Sequence, residues 1–176
     1  MRFSKILVTL MAALLLLAAH RAEPEHHVTL EMRQDNGPYK HAAYNFREAS
    51  GDTAVHRNYV DLLLNKCGML HINPVTGQAN RICDLGALTL KASPDAAPAD
   101  AKWNTECIKP EQGHVYLEEI DGQGQTMTVK FVVDEVDDGT VKLTWQTVKP
   151  LVGPKPAPSR GVAGTMGQCG GAHDAN

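Results

Sequence analysis

The sequence lacks the short motifs that assign a chain to a common enzyme class. No serine lies in the Gly-x-Ser-x-Gly arrangement of a hydrolase nucleophile, and there is no Cys-x-x-Cys, His-x-His or His-Glu-x-x-His motif. Glu118 and Glu119 are neighbours in a predicted strand, so they point to opposite faces and cannot flank one glycosidic bond. We therefore expect a non-enzymatic protein, and a hydrolase assembled from scattered residues stays open as an alternative.

The sequence also lacks a tract rich in lysine and arginine. It has 17 basic and 20 acidic residues, a formal net charge of −3. Residues 1–22 hold three of the basic residues and none of the acidic ones, so the remainder has 14 against 20 and a net charge of −6. An acidic surface repels nucleic acid and anionic lipid. We expect no nucleic-acid partner.

Long hydrophobic runs are confined to the amino terminus. Arg2 and Lys5 precede an apolar run at residues 6–19 that ends in small residues. A basic start, an apolar stretch and small residues at its end are typical of a secretory signal peptide, which we predict over residues 1–22. An uncleaved anchor is the alternative. No later run is long enough to span a bilayer, and no cysteine is placed to anchor a lipoprotein. We expect a bacterial periplasmic or secreted protein.

Cysteine is scarce, but its number is even. The four cysteines all follow the predicted signal, and an exported chain meets an oxidising compartment, which predicts two disulfides. Four cysteines allow three pairings. We favour Cys67–Cys83, because these residues flank a predicted hairpin, and Cys107–Cys169, which would attach the carboxy-terminal tail to the body of the protein.

Apolar and polar residues alternate with period two over most of the remaining chain, the pattern of half-buried strands. The clearest strands are three in the second half, whose short glycine-containing turns predict a meander. Segment 53–66 has both helical spacing and a strand-like leucine run, and we predict a helix there. The predicted strands cover residues 27–33, 39–49, 69–72, 78–83, 87–91, 114–120, 125–134 and 140–148.

These elements predict a mainly β fold, an antiparallel sandwich or a partly closed barrel with one short helix, stapled by disulfides. We expect a single domain over residues 23–149 with a Pro/Ala-rich loop at 92–102. Residues 150–176 are rich in proline and glycine and poor in apolar residues, so we expect a tail that a disulfide attaches to the domain.

Two groups of residues are candidates for metal binding. His26 and His27 open the chain after the signal, and Met166, Cys169 and His173 lie together in the tail. Thioether, thiolate and imidazole ligands suit copper, so a copper-handling protein is one functional alternative. It requires Cys169 to be a free thiol, in conflict with the predicted disulfide.

Binding through aromatic residues has one candidate. Trp103 follows the Pro/Ala-rich loop and is a possible contact residue, whereas Trp145 lies on the apolar face of a predicted strand and belongs in the core. Together with the predicted export, this favours a non-enzymatic binding or interaction module whose partner is another exported macromolecule. The sequence does not indicate an oligomeric state.

Overall fold

The computed structural model of the chain describes residues 23–32, 41–51, 60–72, 78–122 and 124–153. The predicted signal and most of the predicted tail lie outside this part and remain predictions. The described part contains ten β-strands and no α-helix. The strands are β1 (His26–Glu31), β2 (Ala43–Tyr44), β3 (Leu62–Leu64), β4 (Leu70–His71), β5 (Arg81–Ala87), β6 (Trp103–Asn104), β7 (Cys107–Ile108), β8 (His114–Gly122), β9 (Gln125–Asp137) and β10 (Thr140–Val152).

The strands form two antiparallel sheets. The large sheet has six strands in the order β1-β10-β9-β8-β5-β6, and the small sheet has four in the order β2-β3-β4-β7. The mainly β prediction is confirmed, and two sheets are consistent with a sandwich. The barrel alternative is wrong, because β1 and β6 end the large sheet at opposite edges and do not pair with each other. Within the described ranges, no helix has the length and apolarity needed to cross a membrane.

The predicted meander is confirmed by β8, β9 and β10, which are consecutive antiparallel neighbours. Gly139 has a φ of 79° in the turn between β9 and β10, a left-handed conformation that glycine adopts without steric cost. The strands β9 and β10 are 13 residues long, and their register shifts between Lys142 and Leu143. Such bulges add twist and let long strands follow the curvature of a sheet.

The helix predicted over residues 53–66 is wrong where the structure describes it. Leu62–Leu64 forms β3, which pairs with β2 on one side and β4 on the other. All three leucines are buried. A central strand that is covered on both faces reads as a continuous apolar run, which periodicity alone does not distinguish from a buried helix. Residues 52–59 lie outside the described part.

The hairpin predicted from residues 69–72 and 78–83 is also wrong. Its first half contributes β4 to the small sheet, and its second half contributes β5 to the large sheet, so the chain crosses between the sheets here. The crossing removes the geometric reason for a Cys67–Cys83 disulfide, and both residues are free thiols. That pairing, and the staple it would provide, is therefore wrong.

The second predicted disulfide stays a prediction. Cys107 is not among the free thiols, and Cys169 lies outside the described residues. No disulfide joins two cysteines of the described part.

The strand predicted at residues 87–91 ends at Ala87, and residues 88–102 form a loop without strands. This loop contacts the outer face of the large sheet. The Lys130 ammonium donates to the Ser93 carbonyl at 3.1 Å and to the Asp95 carboxylate at 2.6 Å. The loop therefore covers part of the face that points away from the small sheet.

Aromatic side chains fill the core between the two sheets. Trp145 is 2% exposed, as its place on an apolar strand face predicts, and it packs edge-on against Tyr44 and Phe46. Phe131 stacks on Tyr116 with ring centroids 5.3 Å apart. Fully burying a side chain of this kind stabilises a fold by roughly 1.5–3 kcal/mol. The contacts of Trp145 with Tyr44 and Phe46 therefore help to hold the two sheets together, beside the aliphatic side chains of the same core.

Candidate functional site

The edge of the large sheet formed by β1 carries backbone groups that are not paired within the described part of the chain. The Met32 amide donates to the Gly139 carbonyl, so backbone groups of every second residue from Met32 point towards β10. The N–H and C=O groups of the intervening residues, His27, Thr29 and Glu31, therefore point away from the sheet. No described strand pairs with them.

The β1 edge differs from the other described sheet edges in length. It has six residues in continuous register with β10, whereas the edge strands β2, β6 and β7 have two residues each. It also contains no proline and no bulge. Proline, bulges and short length are three of the means by which edge strands avoid pairing with other chains; charged side chains are another, and β1 has one in Glu31. The β1 edge carries none of the three.

A shallow pocket of about 200 Å³ lies beside this edge on the outer face of the large sheet. Its floor includes a hydrogen-bonded chain, in which His27 Nδ1 lies 2.8 Å from the Thr144 hydroxyl and that hydroxyl donates to the Asp134 carboxylate at 2.7 Å. The pocket is lined by His27, Val28, Thr29, Asp134, Lys142 and Leu143. It therefore joins edge residues to side chains of β9 and β10.

The hydrogen-bonded chain fixes the tautomer of His27. The Thr144 hydroxyl has a single hydrogen, which it donates to Asp134, so it accepts from an N–H group on His27 Nδ1. A neutral imidazole then has Nε2 as a hydrogen-bond acceptor, available to a ligand group with an O–H or N–H donor. Thr144 is 8% exposed and its proton is engaged, which makes it a positioning group and not a nucleophile.

Lys142 supplies a hydrogen-bond donor at the pocket, opposite in role to the acceptor at His27. Its ammonium lies 2.7 Å from the Glu135 carboxylate, and this hydrogen bond raises the pKa of Lys142. Both side chains are close to half exposed, so the pair is open to water and to a ligand. The pocket combines donors and acceptors, a chemistry that suits uncharged polar side chains.

A second polar group of residues lies inside the protein and was missed by sequence reasoning. Asp61 is fully buried, and its carboxylate lies 3.3 Å from the Arg47 guanidinium and accepts from the Phe46 amide at 3.0 Å. Burial raises the pKa of Asp61 to about 7. Glu118 is also fully buried. Its position between Tyr116 and Ile120 on the apolar face of β8 was the one available sequence signal.

The histidines predicted as metal ligands do not form one site. His26 stacks on Trp145 with ring centroids 4.4 Å apart, while His27 bonds to Thr144 on the other face. Neighbouring strand residues point to opposite faces, which separates the two rings. Among the described residues, no group of three His, Cys, Asp or Glu side chains is arranged to hold a metal ion. The copper candidates Met166, Cys169 and His173 lie outside the described part.

Trp103, the predicted aromatic contact, lies on β6 at the edge opposite β1. The Arg81 guanidinium sits 4.3 Å from the centre of its ring, and Arg81 also pairs with Glu119 at 2.6 Å. One face of the indole is therefore already covered by a cation. This arrangement leaves less aromatic surface for a ligand than the sequence suggested.

Comparison of the chain with protein-family models, with curated proteins and with solved structures gave no match in any of the three.

Proposed function

We propose that the protein is an exported, non-enzymatic binding module that pairs an extended peptide segment of another exported protein with the edge of β1. Export rests on the sequence of residues 1–22. The observation that carries the binding proposal is the long, regular edge whose backbone groups at His27, Thr29 and Glu31 point away from the sheet.

Strand addition would supply most of the affinity through the backbone. His27, Thr29 and Glu31 each offer one N–H donor and one C=O acceptor to an added strand. A hydrogen bond of this type contributes roughly 0.5–1.5 kcal/mol net. The same three residues carry the exposed side chains of β1, so the outward-facing side chains of an added strand would lie beside them.

The pocket would supply selectivity. Side chains of an added strand alternate between faces, and one on the outer face would lie beside His27. The acceptor at His27 Nε2 and the donor at Lys142 suit a hydroxyl or carboxamide side chain. We expect preferred peptides to place serine, threonine, asparagine or glutamine at that position, with no requirement for charge.

The test compares two substitutions at Thr29. Peptides are selected from a displayed random library on the full chain, and their affinities are measured for the unaltered protein, Thr29→Pro and Thr29→Val. The Thr29 N–H points away from β10, so proline removes an outer donor without breaking the existing ladder. Valine keeps that donor and removes only the hydroxyl group.

We expect Thr29→Pro to weaken binding by about tenfold or more, since about 1.4 kcal/mol corresponds to tenfold, and Thr29→Val to leave it nearly unchanged. Equal binding by the proline variant would refute edge pairing. A second copy of the chain is the competing occupant. If sedimentation shows a dimer that Thr29→Pro dissociates, the edge serves self-association and the peptide proposal is wrong.

A further inference from the structure

The buried polar residues connect the two sheets. Glu118 projects from β8 of the large sheet into the core, at 0% exposure. Asp61 immediately precedes β3 of the small sheet, and Arg47 follows β2. The side chain of Arg47 is 3% exposed and that of Asp61 is 0% exposed. We call Arg47, Asp61 and Glu118 the interior charge cluster.

The interior charge cluster has more acidic groups than basic groups. One guanidinium faces two carboxyl groups, and Arg47 and Asp61 are the charged groups that interact with Glu118. Glu48 adds a further negative charge near Asp61. An unpaired charge in a protein interior is strongly destabilising, so such groups are neutralised instead. One carboxyl group of the cluster must therefore hold a proton.

The contacts identify which carboxyl group stays ionised. Asp61 contacts the Arg47 guanidinium, accepts from the Phe46 amide and lies 3.4 Å from the Gln78 side-chain amide donor. Each of these contacts favours a carboxylate. The two oxygens of Glu118 are buried and have no hydrogen-bond partner among the described residues. Burial and the nearby Asp61 raise the pKa of Glu118.

We propose that Glu118 carries a bound proton at neutral pH and that release of this proton in alkaline solution weakens the contact between the two sheets. The interior charge cluster then makes the packing of the two sheets sensitive to pH. The inference is independent of the proposed peptide binding, because the cluster lies in the core and the β1 edge lies at the surface.

The direction of the pH dependence follows from linkage. A glutamate in an unfolded chain has a pKa of about 4.3, and the pKa of folded Glu118 is higher. Between these two values the folded state binds one proton more than the unfolded state. The folding equilibrium constant therefore falls about tenfold per pH unit as the pH rises through that window. Asp61 also lowers the folding equilibrium constant as the pH rises, but only up to its own pKa of about 7.

The experiment measures urea unfolding of the full chain between pH 6 and pH 9.5, and Asp61 is present in every protein compared. The variant is Glu118→Gln, and the matched control is Glu119→Gln, which removes the same charge from the partly exposed neighbour that pairs with Arg81. We expect the folding equilibrium constant of the unaltered protein and the control to fall more steeply with rising pH than that of Glu118→Gln, by up to about tenfold per pH unit until folded Glu118 loses its proton. Equal slopes in all three proteins would overturn the proposal.

A second measurement needs no variant and applies if Glu118→Gln does not fold. Carbon-13 NMR of the side-chain carboxyl groups reports protonation directly in the unaltered protein. We expect the Glu118 resonance to keep the chemical shift of a protonated acid at pH 7. A resonance that titrates near pH 4.5, or a protonated Asp61 beside an ionised Glu118 at pH 7, would overturn the proposal.

Discussion

Replacing Lys130 by methionine should loosen the loop at residues 88–102 from the large sheet. The Lys130 side chain is 3% exposed, and its ammonium bonds to the Ser93 carbonyl and the Asp95 carboxylate. Methionine occupies a similar volume but donates no hydrogen bond. The substitution therefore removes both contacts while it retains most of the packing.

The size of the effect can be worked out from these two contacts. Hydrogen bonds that involve a charged group contribute roughly 1.5–3 kcal/mol each, but Asp95 is 71% exposed, so its ion pair is largely screened by water. We therefore expect loop opening to become easier by roughly 1.5–3 kcal/mol, which is about a 10- to 100-fold increase in the opening equilibrium constant.

Thiol labelling reports this opening. Cys83 pairs with Leu117, and Leu117 pairs with Lys130, so all three side chains lie on the outer face that the loop contacts. Cys83 is 1% exposed, and burial raises the pKa of its thiol, which slows its reaction. Cys67 is exposed and serves as the internal reference within the same protein.

We expect Cys67 to react at the same rate in both proteins and Cys83 to react about 10- to 100-fold faster in Lys130→Met. Lys142→Met is the control, because Lys142 forms an exposed ion pair away from the loop. An unchanged Cys83 rate in Lys130→Met would show that the loop does not protect this thiol, and would refute the reasoning.

Two further predictions concern a close contact and a surface histidine. Gly122→Ala would place a Cβ 3.2 Å from Arg47 Nη2 and 3.3 Å from Gln78 Cγ. The free energy of unfolding, measured with urea, should therefore fall by roughly 1–3 kcal/mol. Thr126→Ala, at an exposed position of the same strand pair, should leave the free energy of unfolding nearly unchanged. The hydrogen bond to Asp84 raises the pKa of His114. The stabilisation from this hydrogen bond is complete below the unfolded pKa and is lost as the pH rises through the folded pKa. The stability of the unaltered protein should therefore fall between pH 5 and pH 8 by an amount that is missing in His114→Gln, as measured by urea unfolding. An identical pH profile in the two proteins would contradict a stabilising bond between His114 and Asp84.

Local sequence patterns predicted the elements that depend on neighbouring residues. The meander follows from period-two alternation and from turns such as Asp138-Gly139, because both signals lie within a few residues. The choice of sheet for a strand depends on contacts far along the chain. The β4 and β5 segments look like a hairpin in sequence, yet β4 pairs with β7 and β5 pairs with β8.

The candidate sites were harder to predict for the same reason. The edge position of β1 results from its pairing with β10, a strand more than 100 residues away, and the pocket exists only when β1, β9 and β10 are neighbours. His27 was selected as a metal ligand because of its residue type, whereas the structure bonds it to Thr144. Glu118 could be placed on the apolar face, but its proximity to Asp61 depends on how the sheets pack.

Backbone amide exchange on the full chain, with and without a peptide selected on it, tests the binding proposal most directly. The amides of Val28 and Leu30 point towards β10 and should exchange slowly in both samples. The amides of His27, Thr29 and Glu31 point away from the sheet, and they should exchange rapidly alone and slowly with peptide. Bound peptide that leaves these three amides unprotected would contradict strand addition at β1.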